Sequence, residues 1–149
     1  MSSNPTRKLS GTAAELLVAS KLIARGFSVS WPVGEADRYD LISDSHSGEG
    51  KISRIQVKST GKKLRGTFHV TFGCKGSTGQ RRLYTKDEID YFIVVISAYP
   101  NGPGFYIIPV GKIKAKVSNF WAPGEHPYGT ERWRVCPFEE YRDRWDLLR

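Results

Sequence analysis

The spacing of apolar and polar residues predicts one helix followed by a series of short strands. From Ser10 or Thr12, the run Ala13-Ala14-Glu15-Leu16-Leu17-Val18-Ala19-Ser20-Lys21-Leu22-Ile23-Ala24-Arg25 keeps apolar residues at helical spacing. It stops at Gly26, as helices commonly do. Leu16, Leu17, Ser20, Ile23 and Phe27 are the expected buried stripe, and residues 1–8 read as a flexible arm. Residues 27–31 alternate as a strand, Pro32-Val33-Gly34 breaks it, and Tyr39-Asp40-Leu41-Ile42 predicts the next strand. Residues 51–59 alternate with a period of two, which sets Ile55 and Val57 on one face and Arg54, Gln56 and Lys58 on the other. Across the polar turn at 44–50 this strand is expected to pair with the preceding one as a hairpin.

Further along, Phe68-His69-Val70-Thr71-Phe72 predicts a strand and residues 73–82 a glycine-rich basic loop. Thr85-Lys86-Asp87-Glu88 suits a helical turn. Residues 91–96 form a continuous apolar run, the mark of a strand covered on both faces, and 105–109 a second strand after a Pro/Gly turn. A short helix is expected over 112–117 and a strand at Trp133-Arg134-Val135. The last segment is expected to be amphipathic, with Phe138, Tyr141, Trp145 and Leu148 on one face. There is no repeat and no linker, so 1–149 reads as one domain. Its order of elements predicts an α/β (α+β) fold, a mixed central sheet flanked by helices. A chain of 149 residues with 39% hydrophobic content can build such a core without a staple.

Charge changes the picture from fold to partner. The net charge is +8, yet residues 1–50 hold five basic and six acidic side chains, and residues 87–149 hold eight and nine. Residues 51–86 hold ten basic side chains and no acid, so the whole excess lies in one block of 36 residues. A surface that only needs solubility mixes both signs, so this block points to a polyanion. The longest apolar run, Tyr91 to Ile96, is far short of a membrane span. The two cysteines, Cys74 and Cys136, make neither a zinc site nor a disulfide framework, and no signal-peptide pattern opens the chain. A cytoplasmic location is therefore expected.

Four residues fit one chemistry. Phosphodiester hydrolysis requires a divalent cation on hard oxygen ligands, an activated water, and a positive group near the phosphate. Glu15 and Asp40 offer carboxylates, Gln56 an amide oxygen, Val57 a backbone carbonyl and Lys58 the positive charge. Other readings compete residue by residue. Thr12-Ala13-Ala14-Glu15 is also a capping-box pattern, Asp40 a turn or ion-pair residue, and Gln56 and Lys58 the polar face of a half-exposed strand. Glu35 and Asp37 read as a loop beside the site. His46, His69 and His126 stand at no metal-ligand spacing, and Gly73-Cys74-Lys75-Gly76-Ser77-Thr78-Gly79-Gln80 lacks the ending of a phosphate loop. Trp121 and Tyr128 suit either a proline-packed loop or base stacking.

The segments Gly11-Thr12-Ala13-Ala14-Glu15, Pro32 to Ile42 and Ile55-Gln56-Val57-Lys58-Ser59-Thr60 resemble the PD-(D/E)XK nucleases of the restriction-endonuclease-like superfamily. The likeness continues through Ile89 to Val94 and Phe105 to Pro109. Two departures stand out: the first acid of the (D/E)XK half is Gln56, and the motif proline is displaced to Pro32. Small bacterial group I intron homing endonucleases of this class are similar in length and layout and accept glutamine there. The resemblance implies catalytic Glu15, Asp40, Gln56 and Lys58, and a Mg²⁺ ion, with Mn²⁺ substituting, on Asp40, Gln56, Val57 and Glu15. It implies cleavage of double-stranded DNA by a homodimer or homotetramer. Lys62, Lys63, Arg65, Lys75, Gln80, Arg81 and Arg82 are the expected DNA contacts, with Lys112, Lys114 and Lys116 contributing less. Alternatives are a Holliday junction resolvase, a restriction-type enzyme, or a catalytically inactive DNA- or RNA-binding module on the same fold.

Overall fold

The computed structural model describes residues 5–34, 38–46, 48–125 and 135–149, without the side chains of 5 and 7–9. Helix α1 (Pro5–Ile23) is followed by β1 (Ser28–Ser30), β2 (Leu41–Asp44), β3 (Ile52–Thr60), β4 (Lys63–Leu64), β5 (Thr67–Thr71), β6 (Gly73–Lys75), β7 (Arg81–Leu83), β8 (Tyr91–Ile96), β9 (Gly104–Pro109) and β10 (Val117–Phe120). Short 3-10 turns occupy Val110–Lys112, Glu139–Tyr141 and Trp145–Leu148. The central sheet has the order β1-β2-β3-β8-β9. All its pairings are antiparallel except β3 with β8, which is parallel, so the sheet is mixed as expected. The predicted hairpin of β2 with β3 forms, in the register Leu41 opposite Ile55.

Each face of this sheet has its own core. On one face α1 packs Ala14, Val18 and Leu22 against Leu41, Ile55, Val57, Ile93, Val95 and Ile107. The expected stripe is buried only in part: Phe27 is buried and Leu17 packs against this core, but Ser20 is exposed, Leu16 is 56% and Ile23 58% exposed. The 14-18-22 row, in steps of four residues, meets the sheet instead, with the smaller Ala14 and Val18 letting the helix lie close to β3 and Leu22 filling the end of the contact. The helix also starts at Pro5, so positions 5–8, placed in the arm by the sequence pattern, are helical. Proline is well suited to a first turn, where its missing N–H has no acceptor to satisfy. The helix ends where expected: Gly26, at φ +85°, and Phe27 donate back to Ile23 and Leu22 carbonyls, a closure that favours glycine.

The other face is covered by strands rather than helices. The parallel β3–β8 pairing requires a crossover, and residues 61–90 make it from two hairpins. The β4–β5 hairpin turns at Arg65 and Gly66, both at positive φ as a two-residue turn of this kind demands, and β10 joins it to give a sheet of order β10-β5-β4. Phe68, Val70, Phe72 and Phe120 from that sheet pack on Phe92, Val94, Ile96, Tyr106 and Ile108. Edge-to-face ring pairs such as Phe72–Phe92 at 5.0 Å and Tyr106–Phe120 at 4.9 Å fill the layer.

Three further expectations are corrected here. The basic segment 73–82 is the β6–β7 hairpin rather than an open loop, because Gly76 and Gln80 close a tight turn by backbone hydrogen bonds. Residues 112–117 end a 3-10 turn and begin β10 instead of forming a helix. The aromatic residues near the end do not share one face. Phe138 and Tyr141 join the strand-covered core, and Trp145 and Leu148 the helix-covered one, since this segment wraps the edge of β9 through the Tyr106–Arg142 bridge. Glu35, Asp37, His126, Tyr128 and the strand expected at 133–135, apart from Val135, lie outside the described residues.

Candidate active site

The site exists because β2 is shorter than β3. β2 ends at Leu41 opposite Ile55, so β3 from residue 56 onward has an open edge on that side. Asp40 fills the first gap. Its own N–H donates to the Ile55 carbonyl at 2.8 Å, and its Oδ2 accepts the Val57 N–H at 2.8 Å. The carboxylate thus continues the ladder that the strand has abandoned. Because N–H and C=O of one strand residue point to the same edge, the Val57 carbonyl faces Asp40 as well. Gln56 is buried, 8% exposed, and its Nε2 donates to the same Oδ2 at 2.5 Å.

Glu15 reaches this edge from α1. It does not close a capping box, since Thr12 lies well inside a helix that begins at Pro5. Burial raises the Glu15 pKa above its ordinary value, and the neighbouring negative charge of Asp40 raises it further. Burial likewise raises Asp40, against the opposing pull of the Val57 N–H, Lys58 and Gln56. Lys58, next along the same face of β3 as Gln56, has its pKa lowered by burial; Asp40 pulls it back up, and Arg81 pushes it down. Two carboxylates, an amide, a backbone carbonyl and an ammonium therefore converge as the sequence pattern anticipated.

The sequence pattern did not anticipate Tyr84. Its hydroxyl donates to Gln56 Oε1 at 3.4 Å, its ring meets Phe92 edge-on at 5.3 Å, and Lys58 Nζ lies 5.7 Å from its centroid. Burial pushes its pKa up to about 12, so it stays a hydroxyl. No spacing in the sequence links Tyr84 to β3. Only the return of the crossover onto the sheet brings them together.

The oxygen donors fit a hard divalent cation. Glu15 and Asp40 present like charges that burial has already made costly, and the remaining donors are neutral oxygens, the kind of mixed set that Mg²⁺ accepts with retained waters. Among the described residues no group of three or more His, Cys, Asp or Glu side chains forms a metal cluster. Gln56 offers its amide hydrogens to Asp40 and, at 3.4 Å, to the Val57 carbonyl, and its oxygen accepts from Tyr84. Turning the amide over would present that oxygen instead, at the cost of these three bonds.

The expected DNA contacts separate into two groups. Lys62, Lys63 and Arg65 lie on or beside the β4–β5 hairpin; Lys75, Gln80, Arg81 and Arg82 lie on the β6–β7 hairpin or its turn. Not all of their charge is available. The Arg82 guanidinium grips Glu88 with both ends, at 2.8 and 2.5 Å, and Lys63 pairs with Glu125 at 3.0 Å. Trp121 packs against the strand-covered core, and its carbonyl accepts the Tyr99 hydroxyl.

The structure thus combines a mixed sheet with a carboxylate, an amide and a lysine at the open edge of one central strand. The chain belongs to the PD-(D/E)XK endonuclease family, whose model matches residues 6–143. It is 31% identical over 90 residues to Protein 5.3 of Escherichia phage T7, covering 60% of this chain and 73% of that one. Its fold is that of a bacterial homing endonuclease, I-Ssp6803I, with a TM-score of 0.74 at 22% identity over 95% of this chain and 91% of the other. Among the described residues, no helix is long and apolar enough to cross a membrane.

Proposed function

We propose that this protein is a divalent-metal-dependent endonuclease that hydrolyses phosphodiester bonds in duplex DNA, with Glu15, Asp40, Gln56 and Lys58 as its active site. The observation that carries the proposal is the convergence of Asp40, Gln56, Lys58 and the Val57 carbonyl at the open edge of β3, with Glu15 facing them from α1. Asp40, Glu15, the Val57 carbonyl and Gln56 would hold Mg²⁺ or Mn²⁺, which when bound lowers the pKa of a water and offsets phosphate charge. The protein's own contribution is positioning and fixed charge. Asp40 is locked by two donors on Oδ2, and Lys58 presents its ammonium where negative charge grows on the phosphate, with Arg81 close by. Family membership and the likeness to a homing endonuclease support a homing-like substrate; two cuts in opposite strands then call for two protomers.

The test uses duplex DNA with Mg²⁺ or Mn²⁺. Lys58→Ala and Asp40→Asn should still bind DNA while nicking at least about 10²-fold more slowly, the loss typical of one stabilising group. Cleavage at the parental rate by either variant overturns the proposal. A second reading, a non-catalytic binding module, draws on the Gln56 amide donating to Asp40 where an acid would ligate. Absence of calorimetric Mg²⁺ and Mn²⁺ binding even with DNA present would favour it, and preferential cutting of four-way junctions over linear duplex would favour junction resolution.

A further inference from the structure

A groove of about 530 Å³ lies at the start of β3, the end opposite the active site. Lys51, Lys86, Lys112 and Lys114 line it around a floor that includes Ile52, Ile89, Tyr91 and Val110. The fold assembles these lysines from three distant stretches: the residue before β3, the turn before β8, and the 3-10 turn after β9. Their charge is only partly offset locally, by the action of Lys51 on Asp90. Lys51 Nζ donates to the Tyr91 hydroxyl at 2.8 Å and the Leu147 carbonyl at 2.6 Å, both neutral. The stem of Lys86 lies against the backbone of Gly111, where a Cβ would come within 2.9 Å of its Cε. The lining acid, Asp90, is already gripped by Arg54 through its Nε and Nη2 at 3.1 Å, and Asp87 is exposed beside it.

We infer that this groove is a second contact for the phosphate backbone of duplex DNA, engaged by the arm of the substrate beyond the cut. The inference rests on the endonuclease reading above and extends its substrate. Ile52, two-thirds exposed at the mouth of the groove, has the same parity along β3 as Gln56 and Lys58 and so lies on their face of the strand. Six strand residues separate Ile52 from Lys58, roughly 20 Å at ~3.3 Å per residue. Residues 84–90 cover β3 between these points through the Tyr84–Gln56 and Arg54–Asp90 contacts, and a duplex laid over that cover spans the distance in about six base pairs at ~3.4 Å each. Lys112 and Lys114, which the sequence alone expects to contribute less, are thereby brought together with Lys51 and Lys86 of the basic block.

The test measures equilibrium binding against salt, in EDTA so that nothing is cut, with two duplexes: one with arms of about four base pairs on each side of the site, one with arms of about twelve. Each phosphate contact contributes about 0.9 to the slope of log K against log salt. The parent should show a steeper slope on the long duplex than on the short one. The triple variant Lys86→Gln, Lys112→Gln, Lys114→Gln should lose about 2–3 units of slope on the long duplex and none on the short one. A control with the same charge loss, Lys21→Gln, Arg142→Gln, Arg144→Gln, should retain the parental slopes. Equal slopes for parent and triple variant on the long duplex, or equal flattening by the control, would overturn the groove assignment and leave the endonuclease reading intact. A parent that binds neither duplex in EDTA overturns the groove assignment; the endonuclease reading falls only if that parent also fails to nick duplex DNA in Mg²⁺ or Mn²⁺.

Discussion

Gln56→Glu places a third carboxylate at the position where this strand carries an amide. Gln56 is 8% exposed and its Nε2 donates to Asp40 Oδ2 at 2.5 Å, so the new oxygen meets a carboxylate inside a partly dry site. Two unit charges ~4 Å apart repel by about 4 kcal/mol at an effective dielectric near 20. The pair escapes that cost by keeping one proton. Holding it at pH 7, roughly 2.7 units above an ordinary glutamate pKa, costs about 3.7 kcal/mol. The two routes agree in size, so the metal-free variant should be less stable than the parent by about 3–4 kcal/mol at pH 7, or about 6–16 °C in Tm.

The sign with pH follows from linkage. The shared carboxyl titrates above its unfolded value, so the folded state binds the extra proton, and stability falls as pH rises from the unfolded value towards the folded one. At pH 5 the same proton costs only about 1 kcal/mol, and most of the deficit should vanish. A divalent cation replaces the proton. Each protein gains about 2.7 kcal/mol at a hundredfold excess of Mg²⁺ over its own Kd, so the variant, with the extra carboxylate and the lower Kd, should rise further in Tm than the parent at the same MgCl₂. Thermal melts of both proteins at pH 5 and pH 7, in EDTA and in MgCl₂, read all of this. A variant as stable as the parent in EDTA at pH 7 would show that residue 56 does not face Asp40, and the proposed site would fail with it.

Two shorter predictions address the frame around the site. Leu22→Ala should cost about 2–5 kcal/mol in urea unfolding, as an alanine replacement of a fully buried leucine does, whereas Leu16→Ala should stay within about 0.5 kcal/mol; the opposite ranking would put the other face of α1 on the sheet. The Arg82 grip and the Thr85 N–H hold the Glu88 carboxyl at about 2, below its ordinary value, so its stabilising contribution is fully present above pH 4.5 and is lost only as pH falls towards 2. Glu88→Gln should make the β6–β7 hairpin easier to nick by protease at neutral pH, while the parent keeps its resistance down to about pH 3; equal nicking of the two at neutral pH would mean that the pair does not hold the hairpin.

Much of the sheet was legible because its signals are local. The alternation of residues 51–59 and the apolar run 91–96 survive almost unchanged as β3 and β8. The helix was legible in type but not in orientation. Its apolar residues surround more than half the circumference, and only contact with Leu41, Ile55 and Val57 selects the Ala14-Val18-Leu22 row. The parallel pairing of β3 with β8 and the strand-built crossover depend on contacts far apart in sequence, which no window of residues reports. The site divides in the same way. Glu15, Asp40, Gln56 and Lys58 could be read from spacing; Tyr84, and the engagement of Arg82 by Glu88, could not.

The geometry also explains why position 40 suits aspartate in particular. Its backbone N–H already occupies the ladder position opposite Ile55, and its carboxylate must reach the very next free donor of β3, the Val57 N–H, without leaving the edge of the sheet. A side chain with one carbon between Cα and the carboxyl spans that step; one more methylene carries the carboxyl past the donor and leaves a buried N–H unpaired, a loss of about 1–3 kcal/mol. The same bond that completes the sheet fixes the carboxylate beside Gln56 and Lys58. Fold and site are therefore coupled through one oxygen, Asp40 Oδ2, with two donors on it and a buried lysine nearby. Truncating Asp40 to alanine would cost both structure and chemistry at once, which is why the isosteric asparagine is the variant that separates catalysis from stability.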